Sequence, residues 1–246
     1  MKIIKFLKYD NYLLEALCNN TIYFNSVSNL NDPFEGIFRY RIDAKNFTHF
    51  YKNIFNGNPS KLDYYSKNID EFNSILNEGF EWRYSNNGIT CFSDKSTLRD
   101  IRMWTYYGGN HEGVCLLFES ENLTFQPVIN RENGTYCAGA YRLEKVTYTN
   151  KYIDQNPIEK KLNSHTFLTT KHSKWKYEKE YRFISSKPGN HSYEPSFLKT
   201  IIFGLRTKRD HEDTVKNIIK FKKNNIKFKK VKLEKDKFLL KITDDN

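Results

Sequence analysis

The chain has 246 residues, of which 38% are hydrophobic and 16% aromatic. This content of Phe and Tyr excludes an intrinsically disordered chain and suffices for a sizeable hydrophobic core. The 40 Lys and Arg residues outnumber the 29 Asp and Glu residues, and the formal charge of +11 attracts polyanions such as RNA, DNA and nucleotides. Because an AT-rich genome also produces a Lys-rich and Asn-rich composition, charge alone does not assign a partner.

The four cysteines, Cys18, Cys91, Cys115 and Cys137, form no CxxC pair and have no nearby His at metal-ligand spacing. They predict free thiols in a reducing cytosol rather than a zinc site or a disulfide framework. Charged residues interrupt the apolar N-terminal residues, which argues against a signal peptide, and no later run approaches a membrane span. We therefore expect a cytoplasmic protein that does not associate with a membrane.

The first predicted elements are a strand over residues 2–9, a short helix in NYLLEALCNN and a strand that includes residues 22–24. NLNDPFEG then predicts a turn, since Asn and Asp before Pro favour side-chain-capped turns, and Glu35 is expected to be an exposed acid. Between residues 41 and 88 the composition shifts to Asn, Lys, Asp and Tyr with helical periodicity. This segment predicts a helical insertion within a single domain over residues 1–246.

Regular structure resumes with a predicted strand in GITCFSD and a helix in STLRDIRMWTYYGG, with Ser96 as its N-cap. EGVCLLFES is nearly all apolar, as expected for a central strand that is covered on both faces. The remaining predicted strands are YRLEKVTYT, YEKEYRFIS, FLKTIIFG and residues 226–243, and the remaining predicted helices are IEKKLNSHTFLTT and RDHEDTVKNIIKFKKN.

The last of these helices is predicted to bury four apolar residues, Val215, Ile218, Ile219 and Phe221. The order of elements lacks the regular strand–helix alternation and the Gly-rich turns of a doubly wound nucleotide-binding fold. We therefore predict an α+β fold with a mixed, mainly antiparallel sheet and flanking helices.

Charged residues alternate in the strand-like stretch YEKEYRFI. A strand's period of two places Glu178, Glu180 and Arg182 on one face. Carboxylates inside a protein are costly unless they are paired or used in chemistry. Two interpretations remain open, namely a Glu–Arg ladder on a solvated strand face and a functional pair of carboxylates.

Aromatic residues precede a Gly-rich turn in RMWTYYGGNHEG. Trp104 and Tyr107 are suited to sandwich a flat ring such as nicotinamide or a base, and His111 lies in the turn. The alternatives are that Trp104 belongs to the core and that His111 stabilises the turn. No GxSxG, GK[ST] or HExxH motif occurs.

The C-terminal part of the chain is rich in lysine, with ten in residues 216–237. They form either the solvated face of a C-terminal helix and strand or an electrostatic path for RNA or DNA. In the second case binding would weaken steeply with salt.

Four blocks, in this order, resemble the bacterial domain-of-unknown-function family 2971. They are Asn31–Glu35, Cys91–Ser93, Met103–Gly113 and Lys171–Arg182. They match its Asn-Asp-Pro-Phe-Glu turn, its Cys-Phe-Ser strand, its Met-Trp helix with Asn-His-x-Gly-Val, and its Lys-His-x-x-Trp-x-Tyr-Glu-x-Glu-x-Arg segment. The resemblance spans nearly the whole chain, departs slightly at Tyr107 and Gly108, and implies one framework without implying a function.

The layout also resembles the ADP-ribosyltransferase fold, a split antiparallel sheet that grips NAD between its halves. This resemblance implies that NAD is a substrate and that Glu180 is the catalytic carboxylate with Glu178 as its partner. The family's first-strand His or Arg is missing, because KFLKYD offers Lys5, Lys8 and Tyr9 instead. The residues expected to contact NAD are Tyr9, Ser93, Trp104, Tyr107, His111 and Arg182.

The expected function is therefore that of an ADP-ribosyltransferase-like enzyme of bacterial toxin or phage-defence type. Its expected partners are an RNA or DNA acceptor on the Lys-rich surface and a neutralising protein. One alternative is a nucleic-acid-binding protein or a nuclease with Asp32, Glu35, Glu178 and Glu180 as magnesium ligands. Another is a non-catalytic sensor module in which the Glu–Arg cluster is structural.

Overall fold

The computed structural model describes residues 1–36, 38–128, 142–151, 153–156 and 164–245. Cys137 and residues 158–163 of the predicted helix IEKKLNSHTFLTT lie outside these ranges. The chain forms two compact units. The first comprises Met1–Asn25, Gly88–Val146 and Lys176–Asn246, and the second comprises Ser26–Asn87 and Thr147–Trp175.

The strands of the described residues are β1 (Lys2–Leu7), β2 (Thr21–Ser26), β3 (Phe38–Tyr40), β4 (Gly88–Asp94), β5 (Val114–Glu119), β6 (Gln126–Pro127), β7 (Arg142–Lys145), β8 (Thr147–Thr149), β9 (Ile153–Gln155), β10 (Thr170–His172), β11 (Glu180–Ser185), β12 (Gly189–Ser192), β13 (Leu198–Phe203), β14 (Lys227–Leu233) and β15 (Leu240–Asp244). The helices are α1 (Asn11–Asn19), α2 (Ala44–Asn53), α3 (Leu62–Lys67), α4 (Ile69–Ser85), α5 (Ile101–Tyr106), α6 (Ser164–Leu168) and α7 (Arg209–Phe221). None of these helices combines the length and the apolar character that crossing a membrane requires.

The first unit is built on one sheet with the order β15-β14-β13-β5-β1-β4-β2-β12-β6, while β11 pairs with β4 and β7 pairs with β11. Most pairs are antiparallel; β13 and β14 are parallel and are joined by α7. The predicted α+β fold with a mainly antiparallel sheet is confirmed. The central strand predicted in EGVCLLFES is also confirmed, because β5 lies between β1 and β13 with Val114–Phe118 buried.

Apolar clusters cover this sheet on both faces. Aromatic rings of β4, β5 and β11 pack with α1 and α7 in one cluster, and Ile4, Phe6 and Trp104 belong to the other. In α7, Val215 and Ile219 are buried, but Phe221 is 88% exposed, so its predicted core position is wrong. Two residues after Ile219, Phe221 points about 200° further around the helix and away from the sheet.

The N-cap predicted at Ser96 is also wrong, because the segment begins with a 3-10 helix, Lys95–Arg99, before α5. Asp94 caps the 3-10 helix by accepting the Ser96 backbone N–H at 2.8 Å. Asp100 caps α5 by accepting the Arg102 N–H at 2.9 Å. Two aspartates six residues apart thus start two consecutive helical turns.

The second unit contains α2, α3, α4 and α6 with two parallel two-stranded pairs, β3–β9 and β8–β10. Its core is largely aromatic, with Tyr40, Phe47 and Phe72 buried. Helix α4 is tied to the last residue of β3 and to the chain just after it by side-chain amides. Asn77 Oδ1 accepts the Tyr40 N–H at 2.7 Å, and Asn73 Oδ1 accepts the Ile42 N–H at 2.9 Å. The helices of residues 41–88 therefore share this unit with residues 147–175.

Candidate functional site

The start of β11 brings two carboxylates into the interior of the first unit. Glu178 ends a 3-10 helix, Ser173–Glu178, and β11 begins only at Glu180. The residue between them, Lys179, has a left-handed φ of 45°, which turns the chain. The prediction that Glu178 and Glu180 share one strand face is therefore wrong. Both side chains are only 2% exposed, so the solvated-ladder interpretation is also wrong.

Glu180 forms a two-point ion pair with Arg182. Arg182 Nε donates to Glu180 Oε1 at 2.7 Å, and Nη2 donates to Oε2 at 3.2 Å. The two residues are two apart on β11, which places their side chains on the same face as predicted. Arg182 is fully buried. Such a paired geometry offsets the cost of removing both charges from water.

Glu178 is held by Tyr107, whose hydroxyl donates to Glu178 Oε1 at 2.5 Å. Tyr107 follows the last residue of α5 and is half-buried. This bond joins the Met-Trp-Tyr block to the Glu-x-Glu block across 71 positions of sequence. The two blocks thus meet at this hydrogen bond.

Three adjacent strands carry the positions that the ADP-ribosyltransferase resemblance implies. Ser93 on β4 lies opposite Glu180 on β11, and on its other side it lies opposite Ile4 on β1. Ser93 is buried. The strand that lacks the expected His or Arg carries Lys5, one residue beyond Ile4.

The Lys5 ammonium is fixed in place on the sheet. It donates to Thr90 Oγ1 and to the carbonyl oxygen of Cys91, each at 2.9 Å. Burial lowers the pKa of Lys5, while its electrostatic interactions with Cys91 and Glu180 act in the opposite direction. The Lys5 ammonium on β1 and the Glu180 carboxylate on β11 therefore influence each other across β4.

Two other residues expected to contact NAD pack inside the first unit. Trp104 is fully buried, its indole N–H donates to the Leu98 carbonyl at 2.8 Å, and Phe6 packs edge-on at 5.0 Å. Tyr9 follows β1 and stacks on His211 with 3.6 Å between ring centroids. These placements give both rings a packing role. Tyr107 is the predicted aromatic residue that contacts Glu178.

His111 occupies a tight turn with a left-handed φ of 71°. Its Nε2 lies 3.2 Å from Thr105 Oγ1, and its carbonyl accepts the Arg206 backbone N–H at 2.9 Å. A Cβ on Gly204 would approach that carbonyl oxygen to 2.2 Å, so only glycine fits there. Burial, together with the charge of Arg206, lowers the pKa of His111. Its contacts are those of a turn residue.

The second unit holds an ion pair that sequence reasoning missed. Glu35 was expected to be exposed but is buried, and Lys171 Nζ lies 3.1 Å from its Oε1. The Lys171 ammonium also lies 5.0 Å from the centroid of the Trp175 ring. The turn predicted in NLNDPFEG is confirmed, since Asp32 Oδ1 accepts the Phe34 N–H at 3.0 Å. Glu35 lies in the Asn31–Glu35 block and Lys171 in the Lys171–Arg182 block. The presence of both blocks in one family pattern is the sequence signal that could have indicated this pair.

The described residues contain no group of three or more His, Cys, Asp or Glu side chains arranged to hold a metal ion. Of the carboxylates considered as magnesium ligands, Asp32 and Glu35 belong to the second unit, and Glu178 and Glu180 belong to the first. Cys18, Cys91 and Cys115 are free thiols.

The fold and these contacts define an α+β protein with an acid–arginine cluster buried on its sheet. Residues 103–183 match the model of a family described as "Protein of unknown function (DUF2971)". This match covers the Met103–Gly113 and Lys171–Arg182 blocks and supports the resemblance to that family. No curated protein and no solved structure matches the chain, and the resemblance to the ADP-ribosyltransferase fold stays a prediction.

Proposed function

We propose that the protein is an ADP-ribosyltransferase-like enzyme that breaks the bond between nicotinamide and ribose in NAD. The observation that carries this proposal is the register of three strands. Ser93 on β4 lies opposite Glu180 on β11, and β1 with Lys5 adjoins β4 on the other side. The order of Ser93 and Glu180 matches the second and third positions that the resemblance implies, whereas Lys5 follows Ile4 on β1 and points to the opposite face of the sheet.

The chemistry suits the residue types. As the ribose C1′–nitrogen bond breaks, its electrons remain with nicotinamide and positive charge develops on the ribose, which a nearby carboxylate stabilises. In the proposal Glu180 supplies that carboxylate, and its two bonds from Arg182 fix its orientation. Glu178 accepts the proton that the acceptor loses when it bonds to C1′.

Tyr107 links these roles. Its hydroxyl holds Glu178, and its half-buried ring offers a face on which nicotinamide can stack. Since Glu178 and Glu180 are each only 2% exposed, the proposal includes a movement that uncovers them. The Tyr107–Glu178 hydrogen bond is the contact that this movement would exchange.

The wider assignment belongs to the same proposal. An enzyme with this activity would join the toxin and phage-defence proteins that the resemblance implies, and a neutralising protein would be its partner. The charge of +11 favours the approach of the NAD pyrophosphate.

The test is release of nicotinamide from labelled NAD in excess chelator, with and without a pool of cellular protein and nucleic acid. The wild type should release nicotinamide, and Glu180→Gln should reduce release at least 100-fold. Glu194→Gln, which makes the same change at an exposed site, should retain full activity. Urea unfolding of each variant establishes that it is folded at the assay temperature.

Two results would overturn the proposal. One is a folded Glu180→Gln variant with full turnover, which would remove Glu180 from the chemistry. The other is no release by the wild type with any acceptor pool, together with a large loss of stability in Glu180→Gln. That combination would make the cluster a structural ion pair.

A further inference from the structure

The hairpin formed by β14 and β15 places two lysines against each other. Lys232 on β14 lies directly opposite Lys241 on β15 in an antiparallel pair. Like charges directly opposite each other destabilise a sheet. In the part of the chain that the structure describes, neither lysine forms an ion pair.

Three lysines near this pair are neutralised by carboxylates. Lys229 pairs with Asp244 at 2.7 Å, and Lys230 pairs with Glu212 of α7. Lys216 pairs with Asp245 at 2.6 Å. Unlike these three lysines, Lys232 and Lys241 carry a positive charge that no carboxylate of the described residues neutralises.

The turn of the hairpin exposes an aromatic ring. Phe238 is 99% exposed, yet the turn that carries it is closed by the Glu234 N–H donating to the Leu239 carbonyl at 2.9 Å. Lys237 also pairs with Glu234 at 2.9 Å. The backbone around Phe238 is thus ordered although its side chain packs on nothing, a combination suited to stacking against a flat ligand.

We propose that this hairpin binds single-stranded nucleic acid, with phosphates at Lys232 and Lys241 and a base stacked on Phe238. Aromatic stacking combined with a basic track is the general means by which single strands are held without sequence preference. A duplex keeps its base faces inside the stack, so Phe238 favours the single strand.

An anionic membrane is the competing partner, because Leu233 and Leu239 are also exposed at this end of the hairpin. However, Glu234 and Asp236 lie in the same turn as Phe238. Insertion of the turn would bring these carboxylates to an anionic surface, which repels them. A base is uncharged, so stacking on Phe238 brings no anion to these carboxylates while the phosphates lie at Lys232 and Lys241. The hairpin therefore fits a single-stranded nucleic acid better than an anionic lipid surface.

The test measures binding of labelled oligothymidylate and oligouridylate by fluorescence anisotropy over a range of salt concentrations, without NAD. The double variant Lys232→Glu/Lys241→Glu should weaken binding at least ten-fold. It should also reduce the slope of log affinity against log salt by about 1.4, since each phosphate contact on a single strand contributes about 0.7. Phe238→Ala should weaken binding by about five-fold or more at an unchanged salt slope.

Matched controls separate this surface from general charge. Lys45→Glu/Lys61→Glu makes the same charge change at exposed lysines of the second unit and should change the affinity less than three-fold. Phe221→Ala removes another exposed ring and should have no effect. All variants change exposed or unpacked side chains, so urea unfolding should show them folded.

Three outcomes would overturn the inference. The first is equal loss of binding in the two double variants, and the second is tighter binding of duplex than of single strand. The third is binding to phosphatidylserine vesicles with none to either oligonucleotide, which would assign the hairpin to a membrane. Because NAD is absent from this assay, its result is independent of the proposed transferase activity.

Discussion

Strands β11 and β14 both carry charged residues at alternate positions, but they differ in sign and in burial. In β11 the pair is Glu180 and Arg182, opposite in charge, buried and bonded at two points. On β14 Lys232 meets another lysine on β15 and faces solvent. The first contact joins two positions of one strand and is buried, whereas the second joins opposite positions of two strands and is accessible to solvent. The two pairs therefore differ both in charge and in burial.

The largest expected effect comes from breaking the buried pair. Arg182→Met should lower the free energy of unfolding by about 3–5 kcal/mol, because it removes the buried cation that donates two hydrogen bonds to the Glu180 carboxylate. The measurement is urea unfolding at neutral pH. Lys232→Met, the equivalent change on the exposed strand, should alter stability by no more than about 0.5 kcal/mol. A loss below about 1 kcal/mol in Arg182→Met would show that the pair contributes little.

A smaller loss is expected from Tyr107→Phe, which removes the hydroxyl that donates to Glu178. A buried acceptor deprived of a donor costs about 1–3 kcal/mol. A double-mutant cycle with Glu178→Gln, followed by urea unfolding, should give a coupling energy of at least about 0.5 kcal/mol. Additive effects of the two changes would mean that the bond does not contribute to folding.

A buried histidine of the first unit also predicts that the stability of the protein depends on pH. His191 is fully buried, its Nδ1 lies 2.9 Å from the Gly189 carbonyl, and its Nε2 lies 2.9 Å from Ser185 Oγ. Burial lowers the pKa of His191 below its usual 6.5. The unfolded chain therefore binds a proton at a higher pH than the folded chain does. Stability is complete above pH 6.5 and falls as the pH drops towards the folded pKa.

One such group changes the unfolding free energy by at most about 1.4 kcal/mol per pH unit. Urea unfolding between pH 5 and pH 8 should show this fall, and His191→Gln should make it shallower. Part of the slope should remain, because burial also lowers the pKa of His111. His49→Gln, at an exposed position, should leave the slope unchanged. An identical slope in His191→Gln would contradict the prediction.

The smallest effect is expected at the exposed hairpin, and its sign is reversed. Lys241→Glu should stabilise the protein by about 0.2–1 kcal/mol at low salt, because it turns a like-charge pair with Lys232 into an opposite one. The gain should disappear at 1 M salt, where screening acts over about 3 Å. Thermal unfolding at both salt concentrations checks this. Destabilisation at low salt would show that the two ammonium groups do not interact.

Local pattern predicted much of the first unit because its strands have clear apolar runs. β5 is apolar and buried over its first five residues, and its central position follows from that run. By contrast, periodicity failed at Glu178, since one left-handed residue, Lys179, separates it from the strand. It failed again at Phe221, where the helix ends with a ring facing solvent.

The amino-acid sequence by itself determined the α+β class, the central strand, the turn at Asp32 and the pairing of Glu180 with Arg182 on one strand face. These features depend on neighbours within a few residues, where spacing and side-chain chemistry suffice. Only the tertiary structure decided that Glu178 meets Tyr107 and that Lys232 faces Lys241. Such contacts join residues that are distant in the sequence. Strand register and burial decide whether a charge is paired or exposed, and no local sequence pattern encodes either of them.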